Sequence, residues 1–148
     1  MVGAVIIAHS SIGKELIATA EYLVGKLEGI TAVSIDFEKS VFEARKAISQ
    51  AIKQVDQGSG ILLLADLFGG SPSNIAFSFL NKDTIEVVTG VNLPMILTFW
   101  SRRPDSGLND LAKQIQRSGT RGIIRAIELM KTEEAIEMRR PTKERRLS

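Results

Sequence analysis

The chain is predicted to fold as an open α/β sheet, mainly parallel, with strand order 2-1-3-4 and helices on both faces. Three observations carry this. Two short runs, Val2–Ala8 and Ile61–Ala65, are continuously apolar, as strands buried on both faces are. Each ends in a polar residue and a turn that opens a helix, His9-Ser10-Ser11 in one case and Asp66-Leu-Phe-Gly-Gly-Ser71 in the other. Four β-α repeats with short connections then require right-handed crossovers and a parallel sheet.

The elements follow in order. After the first strand, Leu16, Ala20, Leu23, Val24 and Leu27 fall on one stripe of a helix, which Gly29 stops. Thr31–Phe37, rich in β-branched residues, is the second strand, and Val41, Ala44, Ile48, Ala51, Ile52 and Val55 mark the second helix. Gly58 and Gly60 separate it from the third strand. Ser71-Pro72 supplies an N-cap and a first-turn proline for a helix reaching about Leu80.

Thr84–Thr89 is the fourth strand, and Gly90-Val-Asn-Leu-Pro-Met95 opens a helix to about Trp100. A turn at Arg103–Gly107 precedes a helix that turns Leu108, Leu111, Ala112 and Ile115 inward. Gly119 and Gly122 bracket a break. Gly122–Met130 suits either a helix or a strand. Residues 1–130 are expected to form one domain and residues 131–148 a charged, flexible tail, because that stretch is rich in charge and poor in apolar side chains.

Composition removes several functions. With no cysteine and a single histidine, the chain lacks the nitrogen and sulfur ligands of a zinc site, and no metal or cofactor is expected. The first apolar run has no basic segment before it and no cleavage pattern, and no run approaches the about 20 residues of a membrane span. A cytoplasmic protein is expected. The last ten residues hold five basic groups against one acid, which accounts for more than the whole formal charge of +2. A nearly neutral body with a basic tail does not resemble a nucleic-acid domain, whose cations line a face among aromatics.

In the order 2-1-3-4, strands one and three are neighbours, and the crevice at their carboxyl ends is the switch point where such folds bind ligands. His9 and Asp66 then face each other. A carboxylate on Nδ1 fixes the imidazole tautomer, leaves Nε2 to act as base or nucleophile, and stabilises positive charge on the ring. Acyl transfer fits poorly, since Gly69-Gly70-Ser71-Pro72-Ser73 is not a G-x-S-x-G elbow. Phosphoryl transfer fits better: backbone donors at the turns through Ser10 and Gly70, with the Ser71 hydroxyl, can meet phosphoryl oxygens at helix starts. The Gly69-Gly70 turn lacks the lysine of a nucleotide-binding loop, which points away from ATP and toward another protein's phosphorylated residue as donor. Phe68 and Asn92 are candidates for partner docking. Asn92 either lines the far wall of the crevice or caps a helix.

The strand ending in His9, Ala18-Thr-Ala-Glu-Tyr22, Ile35-Asp36-Phe37, Asp66 with Phe68-Gly-Gly-Ser-Pro72 and Asn74, and Gly90-Val-Asn-Leu-Pro-Met95 together resemble the mannose-type IIA components of the bacterial sugar phosphotransferase system. The resemblance runs from Val2 to about Met130. It implies that His9 is phosphorylated at Nε2 by the histidine-containing phosphocarrier protein and passes the group to a IIB partner. It also implies that Asp66 orients the ring and that Ser71 lies near the phosphate. A homodimer is implied as well, with a fifth, antiparallel strand exchanged between subunits, for which Gly122–Glu128 is the candidate. That family usually has glycine after its histidine, where this chain has Ser10. Two alternatives share the fold: a regulatory phosphorylation sensor, and the phosphocarrier subunit of a dihydroxyacetone kinase, which has a similar His-Ser start.

Overall fold

The computed structural model describes residues 1–36 and 40–139. Its elements are β1 (Gly3–His9), α1 (Ile12–Val24), β2 (Ile30–Ile35), α2 (Val41–Val55), β3 (Ile61–Ala65), α3 (Ser71–Phe77), β4 (Ile85–Thr89), α4 (Leu93–Arg102), a short 3-10 turn (Arg103–Asp105), α5 (Leu108–Arg121) and α6 (Ala126–Arg139). The four strands are parallel and lie in the order β2-β1-β3-β4. Phe37, expected at the end of the second strand, lies outside the described residues.

Alternation along β1 and β3 divides the core in two. Ala4, Ile6, Ala8, Leu62 and Leu64 pack against Ala20 of α1, Met95, Ile96 and Phe99 of α4, and Leu111 and Ile115 of α5. Val5, Ile7, Ile61 and Leu63 meet Ile48, Ala51 and Val55 of α2 and Ala76 of α3. Because both faces are covered, β1 and β3 are buried along almost their whole length, which is why they read as unbroken apolar runs. Each fully buried Ile, Leu or Val contributes roughly 1.5–3 kcal/mol.

The chain's last elements differ from expectation. Within a single chain Gly122–Glu128 is not a strand: Gly122 caps α5, and α6 begins at Ala126. The sequence explains the change, because Ala126, Glu128, Leu129, Met130 and Lys131 are strong helix formers and only Ile123 and Ile124 are β-branched outside the helix. An Arg125–Glu128 ion pair of 3.1 Å adds a small exposed contribution. Helix α6 crosses the expected domain boundary at Met130 and continues to Arg139. Among the described residues β3 is the only strand paired with β4, which otherwise makes an isolated antiparallel bridge from Ile85 to Asn81.

Candidate functional site

Parallel pairing of β1 and β3 in the register Ile7↔Ala65 sets the residues after both strands side by side. There Asp66 Oδ2 accepts the His9 backbone N–H at 2.9 Å and lies 2.8 Å from His9 Nδ1. The Asp66 N–H in turn donates to the Ile7 carbonyl at 3.3 Å. One carboxylate oxygen is thus fixed by both the backbone and the ring of the same histidine. An ionised carboxylate only accepts, so a carboxylate here calls for the proton on Nδ1, and Nε2 is the nitrogen on the side of the ring away from Asp66. The His9 side chain is 33% exposed and that of Asp66 11%, so the ring is reachable while its partner is shielded. Asp66 Oδ1 is buried with no hydrogen-bond partner among the described residues.

The turn after β3 passes along the ring. A Cβ placed on Gly70 would stand 3.5 Å from His9 Cε1, between the two ring nitrogens. Gly69 takes φ +88°, a left-handed conformation that favours glycine. The serine that fixes this turn is Ser73, which sequence reasoning missed. Fully buried, its Oγ accepts from the Gly69 N–H and donates to the Gly70 carbonyl, both at 2.9 Å. A serine in the first turn of a helix that follows two glycines was the available signal.

Ser71 is not the cap expected of it. Helix α3 starts at Ser71 itself, Gly70 is the N-cap, and no side chain caps the helix. The Ser71 hydroxyl is therefore not committed to capping. Ser10, the residue after His9, takes φ +50° and is the one non-glycine residue with positive φ among those described. At α1 the N-cap Ser11 likewise makes no side-chain capping bond, so the first amides of that helix have no side-chain acceptor.

The Asn92 side chain ties α4 to α5. It caps α4, accepting from the Met95 N–H at 3.2 Å, and donates through Nδ2 to the Gly119 carbonyl of α5, also at 3.2 Å. Replacing Asn92 with alanine is expected to lower stability by about 1–2 kcal/mol through the lost cap and the orphaned carbonyl. Urea unfolding measures this, and a change below about 0.5 kcal/mol would remove Asn92 from the α4–α5 junction. Phe68 is 73% exposed, edge-on to Phe77 with ring centroids 6.2 Å apart. Among the described residues no three His, Cys, Asp or Glu side chains cluster as a metal site, and no helix is long and apolar enough to cross a membrane.

A histidine steered by a carboxylate at the switch point of a 2-1-3-4 sheet accompanies a family-level match. Residues 3–116 match the model of the PTS system fructose IIA component, PTS being the phosphotransferase system, and the chain belongs to that family. It is 29% identical over 121 residues to the PTS system mannose-specific EIIAB component of Escherichia coli strain K12, covering 80% of this chain and 38% of that protein. The chain thus spans about two fifths of the length of these EIIAB relatives. It is 28% identical over 117 residues to the PTS system fructose-specific EIIA component of Bacillus subtilis strain 168, covering 78% of this chain and 80% of the relative. Among solved structures it is similar to the PTS IIA protein associated with the fucose utilization operon from Streptococcus pneumoniae. That match has a TM-score of 0.76 at 25% identity and covers 87% of this chain and 96% of the other.

Proposed function

We propose that the chain is a phosphohistidine carrier: His9 Nε2 accepts a phosphoryl group from the histidine-containing phosphocarrier protein and passes it to a IIB component during sugar uptake. The observation that carries this is the 2.8 Å contact of His9 Nδ1 with Asp66 Oδ2. With the proton held on Nδ1, the Nε2 lone pair attacks phosphorus while the bond from phosphorus to the donor's histidine nitrogen breaks and that nitrogen keeps the electron pair. Positive charge rises on the His9 ring as the new bond forms, and the adjacent carboxylate stabilises it. The same kind of P–N bond is made and broken, so the exchange is nearly balanced. The return step runs the same path with the IIB residue as acceptor.

Phosphoryl oxygens would be met by backbone N–H groups at the start of α1 and along the turn through Gly70, with the Ser10 and Ser71 hydroxyls at the rim. Exposed Phe68, beside the turn, supplies apolar surface for docking both partners. We assign the protein to the cytoplasm, where both partners are soluble, and expect it to work as a homodimer.

The test is intact mass after incubation with phosphoenolpyruvate, the first enzyme of the system and its phosphocarrier protein. An acid-labile phosphoryl adduct is expected on the parent chain and none on His9→Ala. The same adduct on both, or on neither, would overturn the assignment.

A further inference from the structure

Immediately after His9 the backbone adopts a conformation that its residue disfavours. Ser10 sits at φ +50°, where an L side chain costs roughly 1–2 kcal/mol. Such strain persists where neighbouring groups over-determine it. A bond from the adjacent strand reaches this residue: β1 and β2 pair in the register Ala8↔Ser34 and His9↔Ile35, and the Ser34 hydroxyl donates to the Ser10 carbonyl at 2.6 Å. In a trans peptide the carbonyl and the following N–H point in opposite directions, so a carbonyl anchored on β2 turns the Ser11 N–H away from β2. That N–H makes no hydrogen bond among the described residues.

We propose that Ser34 is a positioning residue for His9: by holding Ser10 left-handed it aims the Ser11 N–H at the phosphoryl group on Nε2. The inference rests on the carrier reading above and adds to it a specific donor and the residue that orients it. Ser34 touches neither phosphate nor ring. It acts through one peptide plane, and its hydroxyl matters because residue 10 is not glycine. With glycine at position 10 the left-handed state carries no side-chain penalty, and the anchor becomes largely dispensable.

The test is a double-mutant cycle of Ser34→Ala and Ser10→Gly, with Ser34→Thr as the conservative variant, read in two ways. Steady-state phosphoryl acceptance from the phosphocarrier separates kcat from KM. Ser34→Ala is expected to lower kcat about tenfold with KM unchanged, the size of one charge-assisted hydrogen bond. In the Ser10→Gly background the loss should shrink to about twofold, and Ser34→Thr should keep the parent rate. Urea unfolding of the same proteins reads the coupling without any phosphorylation: Ser34→Ala should lower the midpoint when residue 10 is serine and much less when it is glycine. Equal losses in both backgrounds, or none, would overturn the role of Ser34. Coupled midpoints in a chain that takes no phosphoryl group would instead overturn the carrier reading while leaving the Ser34–Ser10 anchor standing.

Discussion

Replacing Asp66 with asparagine is expected to leave a folded protein that accepts phosphoryl groups at least about 100-fold more slowly, by analogy with the loss seen when a histidine's orienting aspartate becomes an amide. Asp66 Oδ2 accepts from both the His9 backbone N–H and Nδ1. An asparagine can keep its oxygen there only by placing its NH2 where Oδ1 now lies, a buried position with no hydrogen-bond partner among the described residues. That arrangement holds the ring but supplies no negative charge, and it strands two donors at a cost of about 1–3 kcal/mol. The flipped amide sets donor against donor and favours the tautomer that blocks Nε2. Stopped-flow phosphoryl transfer measures the rate and urea unfolding confirms the fold. A rate within about threefold of the parent would take Asp66 out of the mechanism.

At the opposite end of the sheet, Gly29→Ala is expected to cost about 3–4 kcal/mol of stability and roughly 10 °C in Tm, with no direct effect on His9. Gly29 takes φ +72°, and a Cβ there would lie 2.3 Å and 2.6 Å from the two terminal nitrogens of Arg103. Arg103 is only 4% exposed. Its Nε donates to the Val2 carbonyl at 3.1 Å and Nη1 to the Glu28 carbonyl at 2.6 Å, while the guanidinium lies 5.2 Å from the centroid of Phe99. Burial holds its pKa below the usual value, and the Glu28 charge partly counters that shift. The added methyl group would therefore expel a buried cation and orphan two carbonyls at the entrances to β1 and β2, beyond the strain at residue 29 itself. Thermal and urea unfolding decide the matter. A loss below about 1 kcal/mol would mean that Arg103 does not pin this end of the sheet.

The sheet was legible because its signals are local. Unbroken apolar runs at β1 and β3 and the inward stripe of α5 each follow from periodicity, and the switch-point rule then brought His9 and Asp66 together. What escaped depends on partners distant in sequence or on competing local chemistry. Arg103 stands in a turn that reads as solvated, and its partners Val2 and Glu28 lie far back in the chain. Asn92 fits either a crevice wall or a cap in the sequence; its bond from the Met95 N–H makes it the cap, and its second bond, to the Gly119 carbonyl on α5, lies too far along the chain to be read there. Ser73 lay two residues beyond the serine that looked like the N-cap, and its burial follows from the inward roll of the first turn of α3. Within the single chain, helix propensity prevails from Ala126 onward, and among the described residues no strand pairs with Ile123-Ile124.

Which nitrogen of His9 carries the phosphoryl group decides whether Asp66 can do its work. Preparing the phosphorylated chain from 15N-histidine-labelled protein and recording its imidazole 15N and 31P spectra at alkaline pH identifies the isomer directly. The Asp66 contact at Nδ1 predicts phosphorus bonded to Nε2, with the remaining ring proton on Nδ1. Phosphorus on Nδ1 would contradict the account, because it would require the 2.8 Å contact that organises the site to be broken in the carrier's working state.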